Sequence, residues 1–253
     1  MPAEKLIKYL LNENPEYRNI PVPKSKHEQF RLYRSLVNIR PAAEISAEYL
    51  AAEDEYLRGL TSQKGITDIA ELTPVENGIY LWQGDITTLK CGAAVNAANS
   101  GMTGCYQPCH NCIDNCIHTF AGVRLRLECA KIMEEQGCAE PAGGAKITPA
   151  YNLPCGYVIH TVGPIVQGTL TAEHCRLLKN CYTSCLEIAV KNGVDSIALC
   201  CISTGVFGFP KREAAEIAVK TVREFLKTHS IKVVFNVFGD EDYEIYAEIL
   251  GRN

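Results

Sequence analysis

No apolar run in this sequence approaches the ~18–20 residues that a helix needs to cross a bilayer, which argues against a membrane span. No basic excess exists either. The 25 Lys and Arg are outnumbered by 29 Asp and Glu, for a net charge of −4. That balance argues against a protein drawn to duplex nucleic acid by charge. It leaves open a ligand carrying phosphate, because backbone N–H groups hold phosphate without Lys or Arg. The opening residues, MPAEKLIKYLLNENPEY, contain no long apolar stretch and no small-residue cleavage site. No signal peptide is therefore expected, and the chain is placed in the cytoplasm. Internal repeats and low-complexity segments are also missing.

What is there suffices for one sizeable core, or for one core and an appendage, since 47% of the 253 residues are hydrophobic. The 13 cysteines are an odd number, and a long chain without an export signal is not expected to build a disulfide framework. Their placement is uneven. Cys105, Cys109, Cys112 and Cys116 crowd into twelve residues, whereas Cys200 and Cys201 lie in an apolar run and read as small core residues.

Residues 1–72 read as a helical extension. LIKYLLNE, EQFRLYRSLVNI and SAEYLAAEDEYLRGL each repeat apolar residues at three- and four-residue spacing, and Pro21, Pro23 and Pro41 separate them. Residues 73–253 change character. IYLWQ, AAVNAA, AKITPA, YVIHTV, SIALCCI and KVVFNVF read as strands. Four amphipathic segments alternate with them: CIDNCIHTFAGVRLRLECAKIMEEQ, AEHCRLLKNCYTSCLEIAVKNG, PKREAAEIAVKTVREFLKTH and DEDYEIYAEILGRN. This alternation predicts a three-layer α/β/α domain with a mixed, largely parallel sheet. Ligands of such sheets bind beyond the carboxyl ends of the strands.

Four segments carry candidate chemistry. Gln83-Gly84-Asp85-Ile86-Thr87 ends the first strand; it suits a plain turn, and its carboxylate also suits an adenine amino group. In Val95-Asn96-Ala97-Ala98-Asn99-Ser100 a strand runs into two amides that suit sugar hydroxyls, or Asx-turn chemistry. In Ile202-Ser203-Thr204-Gly205-Val206-Phe207-Gly208-Phe209-Pro210 two glycines allow close backbone approach. That loop opens into a helix with Pro210 at its first position, an arrangement that welcomes a diphosphate or serves as an ordinary connection. Residues 105–116, CYQPCHNCIDNC, offer thiolates and an imidazole at a density that suits zinc. The spacing is not a pair of CxxC knuckles, and no second cluster completes a four-ligand structural site. Three protein ligands would leave the open position of a catalytic zinc. The alternative is a redox-inert run of cysteines at a helix start.

Together QGDIT, VNAANS and STGVFGFP, in this order, resemble the macrodomain family over roughly residues 75–253. The resemblance implies ADP-ribose as ligand. Asp85 and Ile86 would contact its adenine, Asn99 would face the distal ribose, and Ser203, Thr204, Gly205, Val206 and Phe207 would wrap the diphosphate. Phe238 would stack near the adenine. The chain departs from the MacroD-type hydrolases in one place. Their glycine-rich stretch, followed by a Val-Asp-Gly-Ala-Ile-His-like run, is replaced by GCYQPCHNCIDNCIH. Cys112 to His118 still aligns with the later run and puts Asp114 at the catalytic aspartate, with Cys112 and Ile113 also lining the ligand.

This version is similar to a zinc-containing microbial branch often encoded beside sirtuin-type ADP-ribosyltransferases. SLVNIRP and AAEDEYL in the extension resemble that branch as well. It implies one Zn2+ per chain on Cys105, His110 and Cys112. Cys109 and Cys116 are extras that stay open as alternative ligands, Cys116 because it shares a helix face with Cys112. His118 is read as a satisfied helix histidine. The expected activity is zinc-dependent removal of mono-ADP-ribose from modified protein side chains, with Asn99 holding the sugar and Asp114 orienting or deprotonating water. The other reading is an ADP-ribose reader with a structural zinc and no turnover.

Overall fold

The computed structural model describes residues 2–251. Three helices come first: α1 (Pro2–Glu13), α2 (Lys26–Ile39) and α3 (Ala47–Lys64). Serine side chains open two of them. Ser25 accepts a hydrogen bond from Glu28 N, and Ser46 one from Tyr49 N, which satisfies N–H groups that a helix start otherwise leaves unpaired. Two-residue strands β1 (Thr67–Asp68) and β3 (Leu89–Lys90) pair in parallel. The main sheet contains β2 (Ile79–Gln83), β4 (Ala93–Ala98), β5 (Ala145–Pro149), β6 (Tyr157–Val162), β7 (Ser196–Leu199) and β8 (Lys232–Val237). Its order is β2-β8-β7-β4-β6-β5, parallel throughout except for the antiparallel edge strand β5.

The strands are nearly continuous apolar runs because helices cover both faces of the sheet. Val95, Val158, Ile159, Ile197, Val233 and Val234 are completely buried. The remaining helices are α4 (Ile113–Ala121), α5 (Val123–Gln136), α6 (Ala172–Lys191), α7 (Lys211–Phe225) and α8 (Asp240–Ile249). The expected fold, a mixed and mostly parallel sheet between helical layers with helices preceding it, is what the chain adopts. Among the described residues no helix is long and apolar enough to cross a membrane.

Four boundaries differ from expectation. The apolar period suggests one helix from Cys112 to Gln136, but Gly122, at φ +92°, ends α4 and starts α5. A side chain there would lie 2.6 Å from Glu53 Oε2. The strand read through Ile202 stops at Leu199, and Pro210 stands one position before α7 rather than inside it. The last helix stops at Ile249, and the final two residues of its expected segment lie outside the described residues.

Helices α1–α3 share a core of their own, with Leu6, Ile7, Leu10, Leu11, Tyr33, Leu36, Tyr49 and Leu57 packed beside Val123 of α5. Phe30 and Leu60 touch both this cluster and the main core. The seam is also polar. Glu53 is fully buried and accepts hydrogen bonds from Tyr33 Oη at 2.7 Å, Tyr49 Oη at 3.2 Å and Val123 N at 2.9 Å. Its carboxylate therefore meets the N-terminus of α5, the favourable end of that helix's dipole. Burial nevertheless pushes the Glu53 carboxyl above its ordinary range, against the pull of those three donors.

Candidate functional site

The segments singled out in the sequence follow β2, β8, β7 and β4, four neighbouring strands. Parallel pairing brings their carboxyl ends to one side of the sheet, where open α/β folds bind ligands.

At the β2 end, Asp85 caps a short 3-10 turn, Ile86–Thr88. Its Oδ1 accepts from Thr87 N at 3.0 Å and Thr87 Oγ1 at 2.6 Å. Its Oδ2 accepts from Lys64 Nζ, at the end of α3, at 2.8 Å. Burial raises the Asp85 carboxyl, but the bonds from Lys64 and Thr87 outweigh it and hold the group below its usual range. The Lys64 ammonium also sits 3.5 Å from the centre of the Phe120 ring. The Ile86 side chain is buried in the main core, which leaves its main chain to meet a ligand. Phe238, just past β8, is 79% exposed. Gln83 Nε2 ties this corner together by donating to Phe238 O at 3.4 Å and Asp240 Oδ1 at 2.8 Å.

Beyond β7 the chain turns through Ser203, a non-glycine residue at φ +66°. The loop is shaped by hydrogen bonds from Phe209 N to Ser203 O and from Gly208 N to Gly205 O, both 3.0 Å, and by Thr204 N on Cys201 O at 3.4 Å. None of these uses the N–H of Gly205, Val206 or Phe207. The Val206 side chain is 82% exposed. Ser203 Oγ is buried without a hydrogen-bond partner among the described residues. Gly163 makes room for it, since a Cβ there would lie 2.0 Å from that oxygen. Free N–H groups, an unpaired hydroxyl and the N-terminus of α7 make a loop suited to an anion.

Past β4 a buried polar set surrounds Asp114, which is 4% exposed at the start of α4. Asn96 Nδ2 donates to Asp114 Oδ1 at 2.8 Å. Asn99 Nδ2 donates to Asp114 Oδ2 at 3.2 Å and to Gly104 O at 3.1 Å. Burial pushes the Asp114 carboxyl up to about 6, against the opposing pull of Asn96, the Arg126 charge and Asn99. Asn96 Nδ2 also lies 3.1 Å from His160 Nδ1, and His160 Nε2 lies 3.0 Å from Thr148 Oγ1. With Nδ1 accepting from the amide, Nε2–H donates to the threonine. His118 is not the satisfied helix histidine expected. It is buried, neither ring nitrogen has a hydrogen-bond partner among the described residues, and Nε2 stands 3.6 Å from Asp114 Oδ1. Burial pushes its pKa well below the usual value, so the ring is neutral.

The expected metal ligands converge. Donor atoms of Cys105, His110 and Cys112 lie within 4.8 Å of one another, and Cys105 Sγ is 3.6 Å from His110 Nδ1. A tetrahedral zinc, with bonds of about 2.3 Å to sulfur and about 2.0 Å to nitrogen, separates two such donors by roughly 3.5 Å. Two thiols and an imidazole thus fit zinc in both chemistry and spacing. Cys112 caps α4, its Sγ accepting from Asn115 N at 3.4 Å, two residues from Asp114. Cys109 Sγ turns away toward Arg31 O at 3.4 Å, and Cys116 Sγ faces Arg34 Nη2 at 3.5 Å. A second group, His118, Cys129 and His160, is also close-set but wholly buried, and both nitrogens of His160 are already engaged.

Of the residues the sequence marks, Asp85, Asn99 and Asp114 stand at this face. Asn96, read with Asn99 as an amide for sugar hydroxyls, is instead fully buried, and its Nδ2 serves Asp114 and His160. Lys64, Arg34 and Asn38 carried no such mark, because their partners lie 21 to 82 residues further along the chain.

A Macro domain family model matches residues 95–218. A Treponema medium protein named protein-ADP-ribose hydrolase is 59% identical over 251 residues, covering 97% of this chain and 96% of its own. A Staphylococcus aureus protein of the same name is 49% identical over 255 residues, covering 98% and 96%. The solved structure of the Trypanosoma brucei macrodomain in complex with ADP-ribose superposes with a TM-score of 0.67 at 31% identity, covering 86% of this chain and 95% of that one.

Proposed function

Because the chain belongs to the Macro domain family, we propose that it is a zinc-dependent protein-ADP-ribose hydrolase, removing mono-ADP-ribose from modified protein side chains. The observation that carries this is Asp114, held by two asparagine amides and two residues from a donor set that fits zinc. The names of the relatives point the same way.

The residues divide the work by position. Asp85 accepts the adenine amino group, with Phe238 beside it. The loop from Ser203 to Phe207 wraps the diphosphate with N–H groups, backed by the dipole of α7. Fixing those two parts holds the distal ribose at Asn99 and Asp114, and such positioning removes several kcal/mol of barrier. Asp114 takes a proton from the attacking water as the bond between ribose and side chain breaks. Cys112 and Ile113 line the same end. When bound at Cys105, His110 and Cys112, zinc supplies Lewis acidity next to the sugar. The class of enzyme that makes this substrate is an ADP-ribosyltransferase, and the resemblance points to the sirtuin type.

The test is release of ADP-ribose from a modified protein, with and without a zinc chelator. Release should stop with the chelator and with Cys112→Ala, which should also lose zinc. Normal turnover by zinc-free Cys112→Ala would sink the mechanism. Tight ADP-ribose binding with no release from ester- or Ser-linked substrates would make the protein a reader.

A further inference from the structure

The loop that carries the metal ligands does not hold its own shape. Regular structure resumes only at Ile113, Cys109 sits at φ +53°, and a turn from His110 N to Gln107 O spans 3.2 Å. Several of its main-chain groups are held from outside, by residues of the helical extension and by Asn115 of α4, which the extension grips. Arg34 of α2 donates through Nη2 to His110 O at 2.6 Å. The same guanidinium grips Asn115 Oδ1 through Nε at 3.1 Å and Nη2 at 2.9 Å. Asn115 is fully buried and passes the hold on, its Nδ2 donating to Gln107 O at 2.9 Å and Cys105 O at 3.4 Å.

One turn further along α2, Asn38 Oδ1 accepts from Cys109 N at 2.9 Å, and Asn38 Nδ2 donates to Thr119 Oγ1 at 3.0 Å. Arg34 and Asn38 are four apart and so share a helix face. Arg126 of α5 braces that helix from behind. Its Nη1 donates to Val37 O at 2.8 Å and Asn38 O at 3.0 Å, while its Nε donates to Thr103 O at 2.7 Å.

We propose that Arg34 and Asn38 are positioning residues of the metal centre. They fix the backbone of residues 105–110 so that Cys105, His110 and Cys112 stand ready to bind zinc, and the helical extension is thereby a working part of the site. This rests on the reading of the site as a zinc centre. Arg34 touches the carbonyl of one expected ligand and reaches that of another through Asn115. Asn38 holds the N–H immediately before His110. Outer partners of this kind set how rigidly ligands are presented, and losing one costs metal affinity without removing a ligand.

The experiment compares the full chain with Arg34→Ala, Arg34→Lys and Asn38→Ala. Zinc affinity is measured by competition with a chromophoric chelator, ADP-ribose affinity by calorimetry, and thermal midpoints with both. Arg34→Ala and Asn38→Ala should bind zinc about 10- to 100-fold more weakly while keeping their ADP-ribose affinity. Turnover should lose kcat rather than raise KM. Arg34→Lys keeps the charge but not the two-pronged grip, so it should fall in between; it also gives the answer if Arg34→Ala does not fold. Zinc affinity equal to the parent's in folded variants overturns the proposal. So does a zinc loss that merely tracks lost ADP-ribose binding and a lowered midpoint. A parent chain that takes up no zinc overturns the zinc reading itself, and this inference with it.

Discussion

Asn96 illustrates how much one amide in a strand can support. Its Nδ2 serves the Asp114 carboxylate and the His160 imidazole together, so an apolar replacement takes a hydrogen-bond donor from Asp114 Oδ1 and from His160 Nδ1 in a dry interior. Asn96→Ala should cost about 1–3 kcal/mol of stability, the usual toll for an unpaired buried polar group. It should also lower kcat by loosening Asp114. Urea unfolding and single-turnover hydrolysis check this, and unchanged kcat would remove Asn96 from the support of the site. At this scale the sequence was readable where chemistry is local. Asp85 and Asn99 sit in short segments whose residue types announce polar ligands, whereas Asp114 stood out only through the family resemblance. Arg34, Asn38 and Lys64 lie on helix faces that look solvated, and only the docking of α2 and α3 reveals what they hold.

Among the elements, the seam between α4 and α5 concentrates the constraints. Gly122 adopts φ +92° and ψ 175°, a region open almost only to glycine. A methyl there would also meet the Glu53 carboxylate at 2.6 Å. Gly122→Ala should destabilise the protein by at least about 1–3 kcal/mol, measured as a shift of the urea midpoint. A stability within experimental error of the parent would show that Glu53 can move aside. The strands were legible because sheets buried on both faces require apolar runs. This break was not, because the apolar period continues across Gly122 without interruption; only the backbone angle and the neighbour at residue 53 betray it.

For the molecule as a whole, buried neutral imidazoles shape the acid response. Burial pushes the pKa of His160 down to about 3, and His118 is lowered as well. The unfolded chain binds these protons near pH 6.5 and the folded chain does not. The His160 contribution is therefore fully present above about pH 6.5 and is lost as pH falls toward about 3, and His118 acts in the same direction. Asp114 and Glu53, both raised, act in the opposite sense at pH values above their unfolded range. A difference measurement isolates one histidine. Between pH 6 and 5 the parent should lose stability more steeply than His160→Gln, by about 1.4 kcal/mol per pH unit, in parallel denaturation series. Identical slopes would show that His160 already carries a proton in the folded state.

The strand order also bears on how the protein is made. β8 lies between β2 and β7, so β2, with Asp85 at its tip, waits for Lys232–Val237 before it can join the sheet. During synthesis the Asp85 corner and the Ser203 loop stay apart until the segment that forms β8 has been made. A nascent chain stalled before residue 232 would carry Asp85, Asn99, Asp114 and the Ser203 loop, yet have no cleft to bind ADP-ribose.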